Sequence, residues 1–353
     1  MPNSQPLQSA TGEYSRLVRD NRNFRYLWLG QIVSLLGDWF NLIASASLIA
    51  SLTGSGVAVG SLFAVRMLAP FLVSPVAGVV ADRYNRKAVL IIADLARALV
   101  VFGFLLVRDA GDVWLLYVLT AIQLGISGFF FPTRNAILPD IVDRSQLGAA
   151  NALSSATWSI MLAVGTALGG LVSGGLGIYP AFVIDGLTFI VSALILALMT
   201  YKHTPALADA GHGIGQMLSQ YVEGLRYLRQ NRDVFNISLH KAVSALIVSG
   251  GYQVITVILG QRIYVIGEGG GVSLGILFAV TGIGTGIGPI LARRSTGDRD
   301  HPLRVALGLS YIVAAVGVAL TAPLLGFGLV LVGMFLRGAG GGVIWVFSTQ
   351  LLL

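Results

Sequence analysis

Several ionisable side chains fall inside long apolar stretches of this sequence: Asp38, Arg66, Asp94 with Arg97, Asp185, Lys241 and Arg337. In lipid each such group costs roughly 3 kcal/mol at mid-depth, so each is expected to have either a partner or a task. Asp38 is the deepest acid. Asn41 follows it by one helical turn and Gln31 precedes it by two, which draws a polar stripe along an otherwise apolar helix. Two chemistries fit this stripe. Asp38 can take up and release a proton during a transport cycle, or it can form a permanent ion pair with Arg66 and fix packing only. Asp94 and Arg97, spaced i, i+3, can neutralise each other on one helix face. Lys241 can snorkel to an interface, and Asp185 is expected to lie shallow, near the outer end of its span. Arg337 has no obvious partner in its own helix, which leaves it available to an anionic group in a cavity.

A second charged feature is the string GVVADRYNRKAVL at 78–90, which gathers Asp82, Arg83, Arg86 and Lys87 in a chain whose charged residues amount to 11%. Gly78 allows a neighbouring helix to approach closely. Asp82 can cap a helix or pair with a cation, while the basic residues can meet lipid phosphates or hold the turn on one side of a membrane. The stretch MLAVGTALGG at 161–170 supplies Gly165, Gly169 and Gly170, and the four-residue spacings of Gly165 to Gly169 and of Gly170 to Gly174 give smooth faces for close helix crossings. Gln31, Gln123, Phe130, Trp158 and Gln253 are polar or aromatic side chains within the apolar runs that could hold a substrate; packing is the competing explanation for the aromatic ones.

Several chemistries are excluded or weak. There is no cysteine, hence no disulfide, thiolate metal site or cysteine nucleophile. His203, His212, His240 and His301 show no metal-ligand spacing. No P-loop with its lysine is present, so a direct drive by nucleotide hydrolysis is not expected. A membrane prenyl transferase would need paired carboxylates for magnesium, and only Asp140 with Asp143 comes near, beside Pro139 where helix capping is sufficient. Neither a metal nor another cofactor is called for. The net charge of +7 does not indicate a nucleic-acid partner, because the cations lie between apolar runs instead of on one solvated face.

These residues must be positioned by membrane helices. The chain is 55% hydrophobic with a mean hydropathy of +0.80, too apolar for a domain that keeps a charged skin in water. Apolar runs recur at 26–52, 57–81, 88–107, 113–131, 152–174 and 181–200, then at 234–259, 271–292, 303–321 and 324–347. About ten transmembrane helices are expected, and strands are not, since the runs are apolar on all sides. The arginines and lysines concentrate in alternate connections, including those around residues 16–25, 83–87, 134–144, 202–232 and 293–304. The positive-inside rule puts these, with the N-terminus, in the cytoplasm of a cell bounded by an inner (plasma) membrane. The expected organisation is an N-terminal segment 1–25, a six-helix bundle 26–200, a linker 201–233 with an amphipathic helix, and a second bundle 234–353. In the linker, Met217, Leu218, Tyr221, Leu225 and Leu228 at helical spacing suit either an anionic lipid surface or packing on helix ends.

The loop string resembles the signature that the major facilitator superfamily carries between its second and third helices. GPILARR, from Gly288, echoes GVVADR in the later part of the chain, with Ala292 where the first copy has Asp82. LTGSGVAVG, RMLAPFLVSPVAG, FFFPTRNAILPDIVDRSQLGAANAL and EGLRYLRQNR are similar to the family's drug and siderophore exporter branch, which includes enterobactin and macrolide efflux carriers. The resemblance implies an all-α membrane fold of two parallel-repeat bundles and proton-coupled efflux of small amphipathic compounds, with a lipid flippase or a non-transporting membrane protein as alternatives. It also implies a cytoplasmic latch formed by Asp82, Arg83 and Arg86. MLAVGTALGG resembles the antiporter signature of the fifth helix, although Met161 and Thr166 replace a glycine and a proline. Relatives usually have twelve helices, so the sequence is expected to stop short of the last two.

Overall fold

The computed structural model describes residues 10–201, 222–223, 226–232, 234–236, 238–239, 251–296, 300–322 and 326–350. The helices are α1 (Ala10–Asp20), α2 (Arg22–Thr53), α3 (Gly56–Arg83), α4 (Arg86–Gly103), α5 (Val113–Ile141), α6 (Leu147–Gly175) and α7 (Ile178–Ala197), followed by α8 (Tyr252–Ile258), α9 (Gly271–Thr296), α10 (Asp300–Ala319) and α11 (Phe327–Gln350). Among the described residues there is no strand, and 9 helices are long and apolar enough to cross a membrane. Residues 237 and 240–250 of the expected span at 234–259 fall outside the described residues, as do three of the four histidines and most of the linker's apolar stripe, and Lys241 is among them; α8 lies in that span's last part.

Short polar side chains start the helices where the sequence turns. Asn21, Ser55 and Asn85 accept hydrogen bonds from the backbone of Phe24, Ala58 and Ala88, capping α2, α3 and α4. Gly54, at φ 58, ends α2 in the left-handed conformation that a side chain would resist. One boundary differs from expectation. The run at 113–131 does not stop at Pro132: α5 continues through Pro132 and Pro139 to Ile141. Arg134, placed by the charge pattern in a loop, is therefore inside a helix, where membrane helices tolerate proline because neighbouring groups satisfy the freed backbone.

In the first bundle α2 is central, packing on α6 and α7, while α3 lies on α5 and α4 bridges α5 and α7. One apolar core holds Leu42, Ile43, Leu62, Phe104, Phe182 and Phe189. A second, toward the other end, holds Phe24, Leu27, Leu90, Ile137 and Leu138. In lipid the drive for these contacts is close packing, so small residues set the crossings. Helix α6 uses two glycine faces: Gly165 and Gly169 receive Trp39 and Phe40 of α2, and Gly170 and Gly174 receive Gly271, Val272 and Gly275 of α9. A Cβ on Gly170 would stand 2.5 Å from the Gly275 Cα. In the later part α9 packs on α11, and α11 on α10, with Gly284 and Gly288 against the backbone of Phe335 and Ala339, and Gly317 against Gly333 and Arg337.

The glycine contacts between the two parts lie at one end or toward the middle. Gly56 and Gly60 of α3 face Ile258 and Val254 of α8, Gly174 faces Gly271, and Gly286, deeper along α9, faces Ser159. The connection at 84–85 is at the opposite end, and near it a Cβ on Gly78 would meet nothing within 4 Å.

Candidate functional site

The polar stripes of three helices converge inside the first bundle. Gly30 and Gly37, two turns apart on α2, let α7 come close: Leu196 and Ser192 fill the space over Gly30, and Thr188 and Asp185 that over Gly37. From the facing side α4 brings Asp94 and Arg97. Arg97 is 1% exposed. Its guanidinium pairs with Asp94, donates to Ser34 Oγ at 2.9 Å and reaches Asp38 Oδ2 at 3.4 Å. It also stands over the rings of Phe189 and Phe130, at 4.2 and 4.8 Å. Ser192 Oγ lies 2.6 Å from Asp94 Oδ2 and 3.0 Å from the Gly30 carbonyl.

The partner of Asp38 is thus Arg97 instead of Arg66. Arg66 has no acid within ion-pairing distance among the described residues, and its Nη1 is buried without a hydrogen bond, although it lies within electrostatic reach of Asp38 and Asp185. Helix rotation decides this: α4 aims Arg97 at the Asp38 face, and α3 aims Arg66 past it. Asp185, expected to be shallow, is 0% exposed, and neither of its oxygens has a hydrogen-bond partner among the described residues. Asp38 Oδ1 and Asn41 Nδ2 are in the same condition. Sequence reasoning missed Asp185 by counting from the end of its span. The signal was Asp185, Thr188 and Ser192 at i, i+3, i+7, a polar stripe matching that of α2.

The charged loop forms a clamp within the first bundle. Arg86 pairs with Asp140 at 2.6 Å, donates to the carbonyls of Ala81 and Ala136 at 3.1 and 3.0 Å, and stands 4.0 Å from Asp82. Tyr201 donates to the same Asp140 carboxylate at 2.6 Å. Burial and that carboxylate push the Tyr201 phenol up to about 12, so it remains a donor in neutral solution. Lys87 donates to the carbonyls of Ala197 and Met199, both at 2.7 Å, and so closes the C-terminal end of α7. Asp140 is in the last turn of α5, not at a helix start, and is engaged in this clamp. Asp82 is 74% exposed, and Arg83 accompanies it at the end of α3.

Other expected residues are dispersed. Gln31 is buried and donates to the Ser154 carbonyl at 3.4 Å. Arg134, 6% exposed, donates to Ser154 Oγ and to Asn135 Oδ1 at 3.2 Å, a constellation hidden from the sequence by the loop assignment. Phe130 is buried against Arg97, so it supports the charge cluster. Trp158 is 39% exposed and packs edge-on to Trp39 with ring centroids 5.8 Å apart. Gln123 is buried, with neither polar atom hydrogen-bonded among the described residues, and Gln253 is half-buried on α8. Arg337 stands 4.5 Å over the ring of Tyr252, whose hydroxyl is bonded to Thr321. Gly165, Gly169 and Gly170 sit in helix contacts, as their spacing requires.

The sequence model of the Major Facilitator Superfamily matches residues 27–353. The Bacillus subtilis (strain 168) uncharacterized MFS-type transporter YfiS is 29% identical over 215 residues, covering 61% of this chain and 51% of the relative. Macrolide efflux protein A of Streptococcus pyogenes is 26% identical over 219 residues, 61% of this chain and 53% of the relative. These alignments span about half the length of each relative. Among solved structures, a bacterial homolog of the human lysosomal transporter Spinster, inward-facing and unoccupied, is similar with a TM-score of 0.66 at 18% identity, over 93% of this chain and 74% of that one.

Proposed function

The chain belongs to the major facilitator superfamily, and from that premise we propose that it is a secondary transporter that exports small amphipathic compounds, a drug, macrolide or siderophore, in exchange for protons. Two bundles rocking about a midplane cavity would move the substrate, with no nucleotide or other cofactor. The observation that carries this reading is the contrast between the two ends of the molecule. At one end the bundles are locked backbone to backbone, Gly170 on Gly275 and Gly174 on Gly271. At the other end the clamp of Arg86, Asp140 and Tyr201 lies wholly within the first bundle.

With the arginine-rich turns and the N-terminus in the cytoplasm of a plasma-membrane protein, this arrangement opens the cavity inward, ready to load. Asp82, exposed beside the clamp, is then free to take a partner in the second bundle when the inner side closes. Asp38, with Asn41, couples the motion to protons. The export direction is supported by the likeness to Macrolide efflux protein A. Membrane lipids surround the apolar faces of α3, including Leu68, Phe71 and Leu72, which are exposed.

The test is uptake of ethidium and of a radiolabelled macrolide into inverted membrane vesicles carrying the chain. Accumulation should follow an imposed proton gradient and stop when an uncoupler collapses it. Accumulation that survives the uncoupler would overturn proton coupling, and movement of neither probe would overturn the assignment of substrates.

A further inference from the structure

Resting on the transport reading above, we infer that the coupling proton is held by Asp185, in a pocket inside the first bundle that it shares with Asp38 and Asn41. Asp185 sits on α7 against Gly37 of α2, so tightly that a Cβ on Gly37 would collide with its carboxylate and with Thr188. Its own helix offers its oxygens no donor: the Thr188 hydroxyl bonds to the Asp185 backbone carbonyl at 2.7 Å. The charged and polar groups around it are Asp38 and Asn41 from α2, Arg66 from α3, and Arg97 from α4. Asp94, also from α4, is taken up by Arg97 and Ser192.

Counting charge decides the occupant. Among the described residues, Asp38, Asp94 and Asp185 oppose Arg66 and Arg97 alone, so one carboxyl is in excess. Arg97 is committed to Asp94, Ser34 and Asp38, and Arg66 forms no ion pair among the described residues, though Asp38 and Asp185 are within its electrostatic reach. A carboxylate with no cation paired to it, faced by the Asn41 amide as its one neutral donor, is a costly species in such an interior. One proton on Asp185 makes the set neutral and turns an orphan acceptor into a donor, for which Asp38 Oδ1 is an unpartnered acceptor. Asp38 itself is 17% exposed in its side chain, so it is the less enclosed of the two acids and the step by which a proton would reach Asp185. The proton comes from water and returns to water, and nothing is oxidised or reduced. Breaking the Asp38 to Arg97 contact would free Arg97 to stabilise Asp185 as an anion and release the proton.

The experiment is infrared spectroscopy of the full chain in phospholipid bilayers, read at the carbonyl stretch of protonated carboxyl groups. Wild type at neutral pH should show this band; Asp185→Asn should abolish it, Asp185→Glu should restore it at a shifted frequency, and exposed Asp143→Asn should leave it unchanged. Arg66→Met, which leaves two carboxyls in excess, should strengthen it. Absence of the band from wild type, its persistence in Asp185→Asn, or its loss on adding sodium chloride in place of choline chloride would overturn the assignment. In the vesicle assay Asp185→Asn should lose proton-driven ethidium accumulation while keeping downhill ethidium exchange; proton-driven accumulation in that variant would also overturn it. If the band behaves as expected but wild type moves no probe, the proton site stands and the transport reading falls.

Discussion

In the first bundle α2, α4 and α7 meet around Asp94, Arg97, Asp38 and Ser192; in the second, α9, α10 and α11 meet at Gly284, Gly288, Gly317 and Gly340, backbone on backbone. Both arrangements bring helices close in a medium that offers no hydrophobic drive between them. The first does it with groups that must be kept together, because removing one member strands the others. At these crossings the second does it with absent side chains, so a substitution there adds bulk against backbone instead of removing a partner. The same divergence shows in the loops, where Asp82 of the first copy corresponds to Ala292 of the second. Among the described residues, the buried acid–arginine pairs lie in the first repeat.

This contrast predicts different responses to substitution. The largest effect is expected for Asp94→Ala, which leaves Arg97 buried without its closest partner and should cost about 3–5 kcal/mol in thermal unfolding followed in detergent. The double variant Asp94→Ala with Arg97→Met should recover most of that loss. Recovery of nothing would show that the cluster is not a matched set. Next is Gly284→Val, which drives a side chain into the Phe335 backbone and should cost about 1–3 kcal/mol. Because it lies in the other bundle, its effect should add to that of Asp94→Ala, and strong coupling between the two would break the comparison.

Smaller effects are expected at the edges. Trp28→Phe removes the 2.7 Å hydrogen bond from Trp28 to Thr157 on α6 and should cost about 1 kcal/mol. In the clamp, Arg86→Gln should change stability by less than about 1 kcal/mol, as expected for a partly exposed pair, and more at low salt than at high. The smallest effect is a pH dependence. Since the Tyr201 phenol is raised to about 12, its contribution is complete below the ordinary tyrosine range near pH ~10 and disappears as pH rises toward the raised value. Tyr201→Phe should remove one late-titrating phenolate from the ultraviolet titration.

Much of this was legible along the chain. Span positions follow from apolar runs, and the two glycine faces of α6 follow from spacing, because helical period alone places residues on a face. The pairing of Asp38 was not legible, since the rotation of α3 and α4 about their axes decides whether Arg66 or Arg97 faces it, and nothing local encodes that rotation. Arg134 was misassigned because the apolar run ends at 131 and the charge pattern groups this arginine with the connections, whereas α5 continues to Ile141. Asp185 was misjudged because distance from a span's end does not measure burial when a glycine on the next helix admits the side chain.

Helix α6 touches α2 on one flank and α9 on the other, both through glycine. Helix α6 contributes backbone and little bulk to either seam, so both neighbours rest on one bare rod, with the Trp39 ring seated against Gly165 on the first flank. A bulky residue in either glycine row would push α6 off α2 or off α9 while leaving the remaining contact in place.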